Sequence, residues 1–298
     1  MSKQQSLVRV TVAYVIAIGV GAAWFYAGPD TDHLWLDGLI ADLLATLVIF
    51  GASRMHRNSS FYDAYWSVLP PLLALAWWFE AGRDGGDQGD PLRFALLMLV
   101  VWLWAIRLTG NWVYGFPGLH HEDWRYARLR DNAGRFELPV DLVAIHVIPT
   151  LQVFLGMIPV YIVATRPGEV GWLDVVAVTV GLGAVLLETV ADVQMHRFVA
   201  EIKRTGAQGA VMDRGVWSWS RHPNYVGEFG LWVSLAIFGT AADAGAWWQW
   251  VGVLAMYAMF QGASIPLMEE RSLARRPEYQ QVIDRVARFL PRPPRART

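Results

Sequence analysis

The chain is punctuated by runs of apolar residues about twenty long, the length a helix needs to cross a hydrocarbon layer of roughly 30 Å. Eight such runs can be marked, near residues 7–27, 34–53, 65–81, 91–109, 140–165, 171–193, 224–240 and 247–268. Backbone polar groups in lipid must be satisfied within the chain, so this pattern predicts an all-α, polytopic integral membrane bundle of about eight transmembrane helices. Composition agrees, with 54% of the 298 residues hydrophobic and 17% charged. Lys3 and Arg9 precede a run from Val10 to Ala27 that is long for the core of a signal peptide and reads as an uncleaved helix.

Charge supports that count. If the spans alternate and the N-terminus is cytoplasmic, all of the 25 Lys and Arg except Arg83, Arg93 and Arg166 fall on the inner side. That asymmetry is the one the positive-inside rule demands, and it predicts both termini in the cytoplasm, as expected for a bacterial inner membrane. The outer connections at 29–32 and 84–90 are short and acidic. Three inner connections, 110–139, 194–223 and 269–298, are long enough to build a cytoplasmic cap, and loops of that length usually carry function. The whole of 1–298 reads as a single membrane domain ending in a basic tail at 291–298.

Several chemistries are excluded. Zero cysteines remove disulfides, thiolate catalysis and iron–sulfur clusters. No pair of histidines has a spacing that places two imidazoles on one helical face, so no metal is expected. A net charge of −1 argues against a nucleic-acid partner. Gly181-Leu182-Gly183 lies inside an apolar span and lacks the third glycine of a dinucleotide fingerprint.

Chemistry concentrates in Ser220-Arg221-His222-Pro223-Asn224-Tyr225-Val226-Gly227-Glu228. Pro223 suits a first helical turn, which leaves Arg221 and His222 in the loop and sets Tyr225, Glu228 and Trp232 on one helix face. A Glu inside an apolar helix needs a partner or a proton, and function is the default reading; the plain alternative is a capped helix whose Glu bonds a neighbour. Glu188, Asp192 and His196 form a second line at steps of four, which could equally pair with the inner arginines. Asp63 and Tyr65 open the third span, where favourable dipole placement explains Asp63 as well as proton chemistry does. His146, alone on the fifth span, reads as a core histidine.

The stretch from Gly215 to Glu228 resembles the C-terminal signature of the steroid 5-alpha-reductase superfamily, in particular its largely uncharacterised bacterial branch. Ala191-Asp192-Val193-Gln194, Glu122-Asp123-Trp124-Arg125-Tyr126, Pro277-Glu278-Tyr279 and Phe289-Leu290-Pro291 extend the likeness over roughly residue 58 to the end. It implies a reductase-like core at 54–298 with added N-terminal helices in 1–53. It also implies an NADPH-dependent reductase of carbon–carbon double bonds, with Asp192 and Asn224 holding the cofactor and Glu228 beside the nicotinamide. Arg125, Arg197, Arg221, His222 and Tyr279 complete the candidate cofactor-binding set, since guanidinium forks suit phosphates. The family's substrate-polarising Tyr falls on Trp104 and its Glu near Asp63-Ala64, a departure that bears on the steroid substrate more than on the cofactor.

Reduction of a conjugated carbonyl needs a hydrogen-bond or proton donor at the oxygen and a dry site. Candidate catalytic residues are Glu228, Tyr225, Asp63 and Tyr65, with a lipidic substrate entering from the bilayer among membrane lipids. Two other classes remain open. Arg-His-Pro followed by Tyr and Gly is shared with isoprenylcysteine-type methyltransferases, in which Arg221 and His222 would meet the carboxylate of S-adenosylmethionine. A lipid transporter or receptor would also tolerate buried acids, although the inverted repeats common in transporters are absent from the sequence.

Overall fold

The computed structural model describes residues 1–207 and 209–294, and every regular element among them is helical. The helices are α1 (Lys3–Ala27), α2 (Leu34–His56), α3 (Tyr65–Ala81), α4 (Pro91–Gly115), α5 (Trp124–Ala133), α6 (Glu137–Val140), α7 (Ile148–Thr165), α8 (Trp172–Thr205), α9 (Pro223–Ala242), α10 (Val251–Met259), α11 (Ile265–Arg275) and α12 (Tyr279–Arg285). The last four residues of the basic tail, with Arg295 and Arg297, lie outside the described residues.

Seven helical stretches among the described residues are long and apolar enough to cross a membrane, and they include α1, α2, α4, α8 and α9. The eighth expected span is α3, whose 17 residues reach about 26 Å at 1.5 Å per residue. It packs between α4 and α7, and its Trp77 is wholly buried. The polytopic helical bundle read from the apolar runs is the fold observed.

Lipid supplies no hydrophobic gradient between helices, so close packing and hydrogen bonds hold the bundle together. The longest interface is α8 along α9. Small residues make it possible: a β-carbon on Gly227 would stand 2.4 Å from Glu188 Cγ and 2.8 Å from the Ala184 carbonyl oxygen. Ser234 Oγ donates to the Ala177 carbonyl oxygen at 2.7 Å across the same seam. At the end away from the basic residues, Arg93 on α4 meets Asp174 on α8 through two bonds of 2.7 and 3.1 Å, and also donates to the Gly168 and Glu169 carbonyls.

The first helix is tied to the rest of the bundle. Tyr14 Oη donates to the Phe61 carbonyl at 2.8 Å, and Leu119 N–H donates to Ser6 Oγ at 3.0 Å. Much of the expected inner loop is in fact helix. α4 runs on to Gly115 and α8 to Thr205, and the extra turns of α8, with His196, Arg197, Glu201, Lys203 and Arg204, suit water beyond the apolar layer. Two π-helical turns, Asp141–Val147 and Phe260–Ser264, interrupt long helices where Ile145 and Phe260 border the main cavity, and π turns recur at functional sites.

Candidate active site

The first turn of α9 positions the densest chemistry. Pro223 occupies its N-terminal turn without leaving a donor unmet, so Asn224, Tyr225 and Glu228 enter helix immediately after the loop. Gly227 lets α8 come close, which sets the Glu188 carboxyl against that of Glu228. Both oxygens of Glu228 also accept indole N–H bonds, from Trp104 at 2.9 Å and Trp232 at 3.0 Å. Trp104 therefore orients the Glu228 carboxyl. On the far side of Glu188, Arg107 contacts Glu188 and donates to Asp192 at 2.8 Å, while its buried Nε has no hydrogen-bond partner.

These groups border a cavity of about 470 Å³, within the range typical of small-molecule sites. Asp63, Arg125, Asp192, Asn224, Tyr225 and Glu228 all line it. The opposing wall is apolar, with Trp66, Val153, Met256, Met259 and Phe260. Tyr225 stacks between His222 and Phe260, with ring centroids 5.7 and 5.0 Å away. Asn224 and Asn111 offer amide groups to the cavity with no side-chain hydrogen bond among the described residues.

A second centre in the same cavity joins distant segments. Tyr126 Oη, on α5, donates to Asp63 Oδ1 at 2.7 Å. Burial pushes the Asp63 carboxyl up to about 6, against the opposing pull of the Tyr126 hydrogen bond. Burial also acts on Asp123, but bonds from Arg125 of 2.9 and 3.0 Å, with the Arg125 backbone N–H, hold it below the usual carboxylate range. Beside this pair, the Arg271 guanidinium lies 3.8 Å from the centroid of the Trp124 ring, a cation–π contact.

The other candidates stand elsewhere. Arg221 Nε donates to Glu269 at 2.6 Å and its Nη1 to the carbonyls of Ile283 and Val286, while its backbone N–H donates to that of Ala287. It clamps the end of α12 to the loop, and it does not line the cavity. His222 Nε2 lies 3.3 Å from the same Glu269; burial pulls its pKa down and Glu269 opposes this. Tyr279 is half-buried, with burial and nearby Glu269 raising its hydroxyl to about 12. Arg197 is exposed on the outlying part of α8. Tyr65 is buried beyond the cavity wall, its hydroxyl 3.4 Å from Asp42.

Sequence reasoning did not select Tyr126, Arg107 or Arg271 for the site. The quoted Glu122–Tyr126 motif was a usable signal for Tyr126; a lone basic residue near a span end gave none for Arg107.

No solved structure matches the chain significantly. An uncharacterized protein of Schizosaccharomyces pombe, C594.04c, is 28% identical over 277 residues, covering 86% of this chain and 79% of that protein. A family model described as "Protein of unknown function (DUF1295)" matches residues 49–286, which takes in every residue that lines the cavity. The chain belongs to that family.

Proposed function

We propose that the protein is a membrane reductase of the steroid 5-alpha-reductase type, which uses NADPH to saturate a carbon–carbon double bond conjugated to a carbonyl in a lipidic substrate. The carrying observation is that one cavity joins Asn224, Asp192 and Glu228 to the Tyr126–Asp63 pair and faces them with an apolar wall. The charge asymmetry supports a cytoplasmic basic face that holds the cofactor, in a bacterial inner membrane on this reading.

The residues fit such a cofactor. Unpartnered amides on Asn224 and Asn111 suit a carboxamide, and carboxylates such as Asp192 suit ribose hydroxyls. Arg107 and Arg125 line the cavity, and Arg271, stacked on Trp124, stands beside Arg125, so guanidiniums are at hand for phosphates. When bound, the cofactor supplies a hydride. Hydride addition at the β-carbon would leave electron density on the carbonyl oxygen, and a protonated Asp63, whose Oδ1 accepts the Tyr126 hydroxyl, is the group set to donate there from its other oxygen. Glu228, fixed by two indoles, keeps the reacting end oriented, and the bound cofactor and lipid would displace water from the cavity during reaction. The apolar wall accepts the lipid body.

One observation favours a second reading. Five carboxyls line the cavity, from Asp63, Asp123, Glu188, Asp192 and Glu228, against the guanidiniums of Arg107 and Arg125. That balance suits a cation such as the sulfonium of S-adenosylmethionine, and hence a methyltransferase. Titrating the purified protein with NADPH and with S-adenosylmethionine separates the two. Incubation with lipid extract and NADPH should then yield, by mass spectrometry, a lipid heavier by two hydrogens. Binding of S-adenosylmethionine alone would overturn the reductase.

A further inference from the structure

The reductase reading leaves one buried acid without a task. Asp42 sits on α2, about 21 Å from its basic end at 1.5 Å per residue, and is 5% exposed. No ion pair reaches it among the described residues; its bonded neighbours are the hydroxyls of Tyr65 and Thr46. A carboxyl this deep without a cation favours its neutral form, and an ionisable group inside a membrane bundle is a functional suspect by default.

The hydroxyls around Asp42 form a line. Thr46 Oγ1 is 2.9 Å from Thr150 Oγ1 on α7, and Thr150 Oγ1 is 2.8 Å from Tyr62 Oη. Tyr62 borders the 470 Å³ cavity. Beside the line lies a void of about 10 Å³ bounded by Asp42, Tyr62, Tyr65 and Thr150, near the minimum needed to hold one water. Interhelical hydroxyl bonds are common glue in membrane proteins. Glue, however, does not require a carboxyl at one end and a ligand cavity at the other.

We propose that Asp42, Thr46, Thr150 and Tyr62 form a proton path that connects a buried carboxylic acid to the substrate cavity. The proposal rests on the reductase reading for its purpose. Saturating a conjugated double bond adds a hydride, which the nicotinamide cofactor brings, and one proton. Along the path, the Tyr62 O–H bond breaks as its proton passes to the α-carbon of the enolate, forming the second C–H bond of the saturated product. New O–H bonds form in turn at Tyr62, Thr150 and Thr46, and Asp42 is left as carboxylate. Between turnovers one proton returns from cavity water by the same line, so the path consumes nothing else. Tyr62 is the only member of the path that touches the cavity; the others act through it.

The test is infrared spectroscopy of the purified full-length protein moved from H2O into D2O. The carboxylic acid carbonyl band should lose the Asp42 component in Asp42→Asn. In the wild type that component should shift as deuterium arrives. Its exchange should slow by about tenfold or more in Tyr62→Phe and in Thr150→Val, which break the line at different points while nearly preserving shape. Exchange at the wild-type rate in both variants would overturn the path, as would a spectrum with no component lost in Asp42→Asn. NADPH titration of the same samples keeps the two ideas apart. Slowed exchange in a protein that does not bind NADPH leaves the path standing and removes the reductase reading.

Discussion

The same two helices carry an ion pair at each end, and the pairs differ in what surrounds them. Arg93 and Asp174 stand near the starts of α4 and α8; about four turns further along both helices stand Arg107 and Glu188. The first pair is 1% and 0% exposed, and the guanidinium also takes two backbone carbonyls. The second borders a cavity, meets two further acids in Asp192 and Glu228, and leaves Arg107 Nε without a partner. One arrangement is closed and the other is kept open. A fixed helix–helix register can thus hold structure at one end and stage chemistry at the other.

The strongest way to break this comparison is to remove one arginine at a time. Arg93→Leu strands Asp174 in a dry interior and should lower stability by about 3–5 kcal/mol, with most of the loss recovered in Arg93→Leu/Asp174→Leu. Arg107→Leu should cost less stability, since its acids face a cavity that water can enter, yet it should abolish turnover. Thermal unfolding in detergent and cofactor titration read the two effects. Equal stability losses would erase the distinction.

Next in size comes the seam that sets Glu188 against Glu228. Gly227→Ala forces α8 away from α9 and should cost about 1–3 kcal/mol, with a disproportionate loss of turnover, because the Glu188 side chain is what the new methyl meets. Asn224→Ala and Glu228→Gln should then fail differently. The first should weaken NADPH by roughly 1–3 kcal/mol, and the second should leave affinity within a few-fold while lowering the rate. Both belong to the open end of the helix pair, so neither should move the melting temperature as Arg93→Leu does.

The smallest expected effect is a pH dependence at the second centre. Asp63 titrates at about 6 in the folded protein and near 4 when unfolded, so between these values the native state holds the extra proton. Its contribution to stability is therefore fully present below pH ~4 and is lost as pH rises through about 6. Asp63→Asn should flatten that slope in urea titrations. An unchanged slope would show that Asp63 titrates normally.

Much of this architecture was legible in the sequence because membrane burial writes itself in long runs: the bounds of α3 fall where the apolar run placed them. Local spacing was also readable, since Asn224, Tyr225 and Glu228 share one helical turn and reach one cavity. Partners across the chain were not. Arg221 and His222 looked like ligand-binding groups because type and neighbourhood suggested it, and nothing local shows that Glu269 and the end of α12 already engage them. The Tyr126–Asp63 contact was hidden for the same reason. It joins α5 to the residues just before α3, and only tertiary packing makes them neighbours. Trp104 read as a substitution that subtracts a phenol; packing shows an indole that holds Glu228.

The Arg221 clamp has a consequence for how such a molecule is made. Its guanidinium holds carbonyls of Ile283 and Val286, which leave the ribosome after every span has been synthesised. A nascent chain can therefore insert its whole bundle while the loop that leads into Asn224 and Glu228 still lacks its fastening. The fastening of that loop is among the last contacts the chain can make, and a product cut short before residue 283 would carry every span with that loop unlatched.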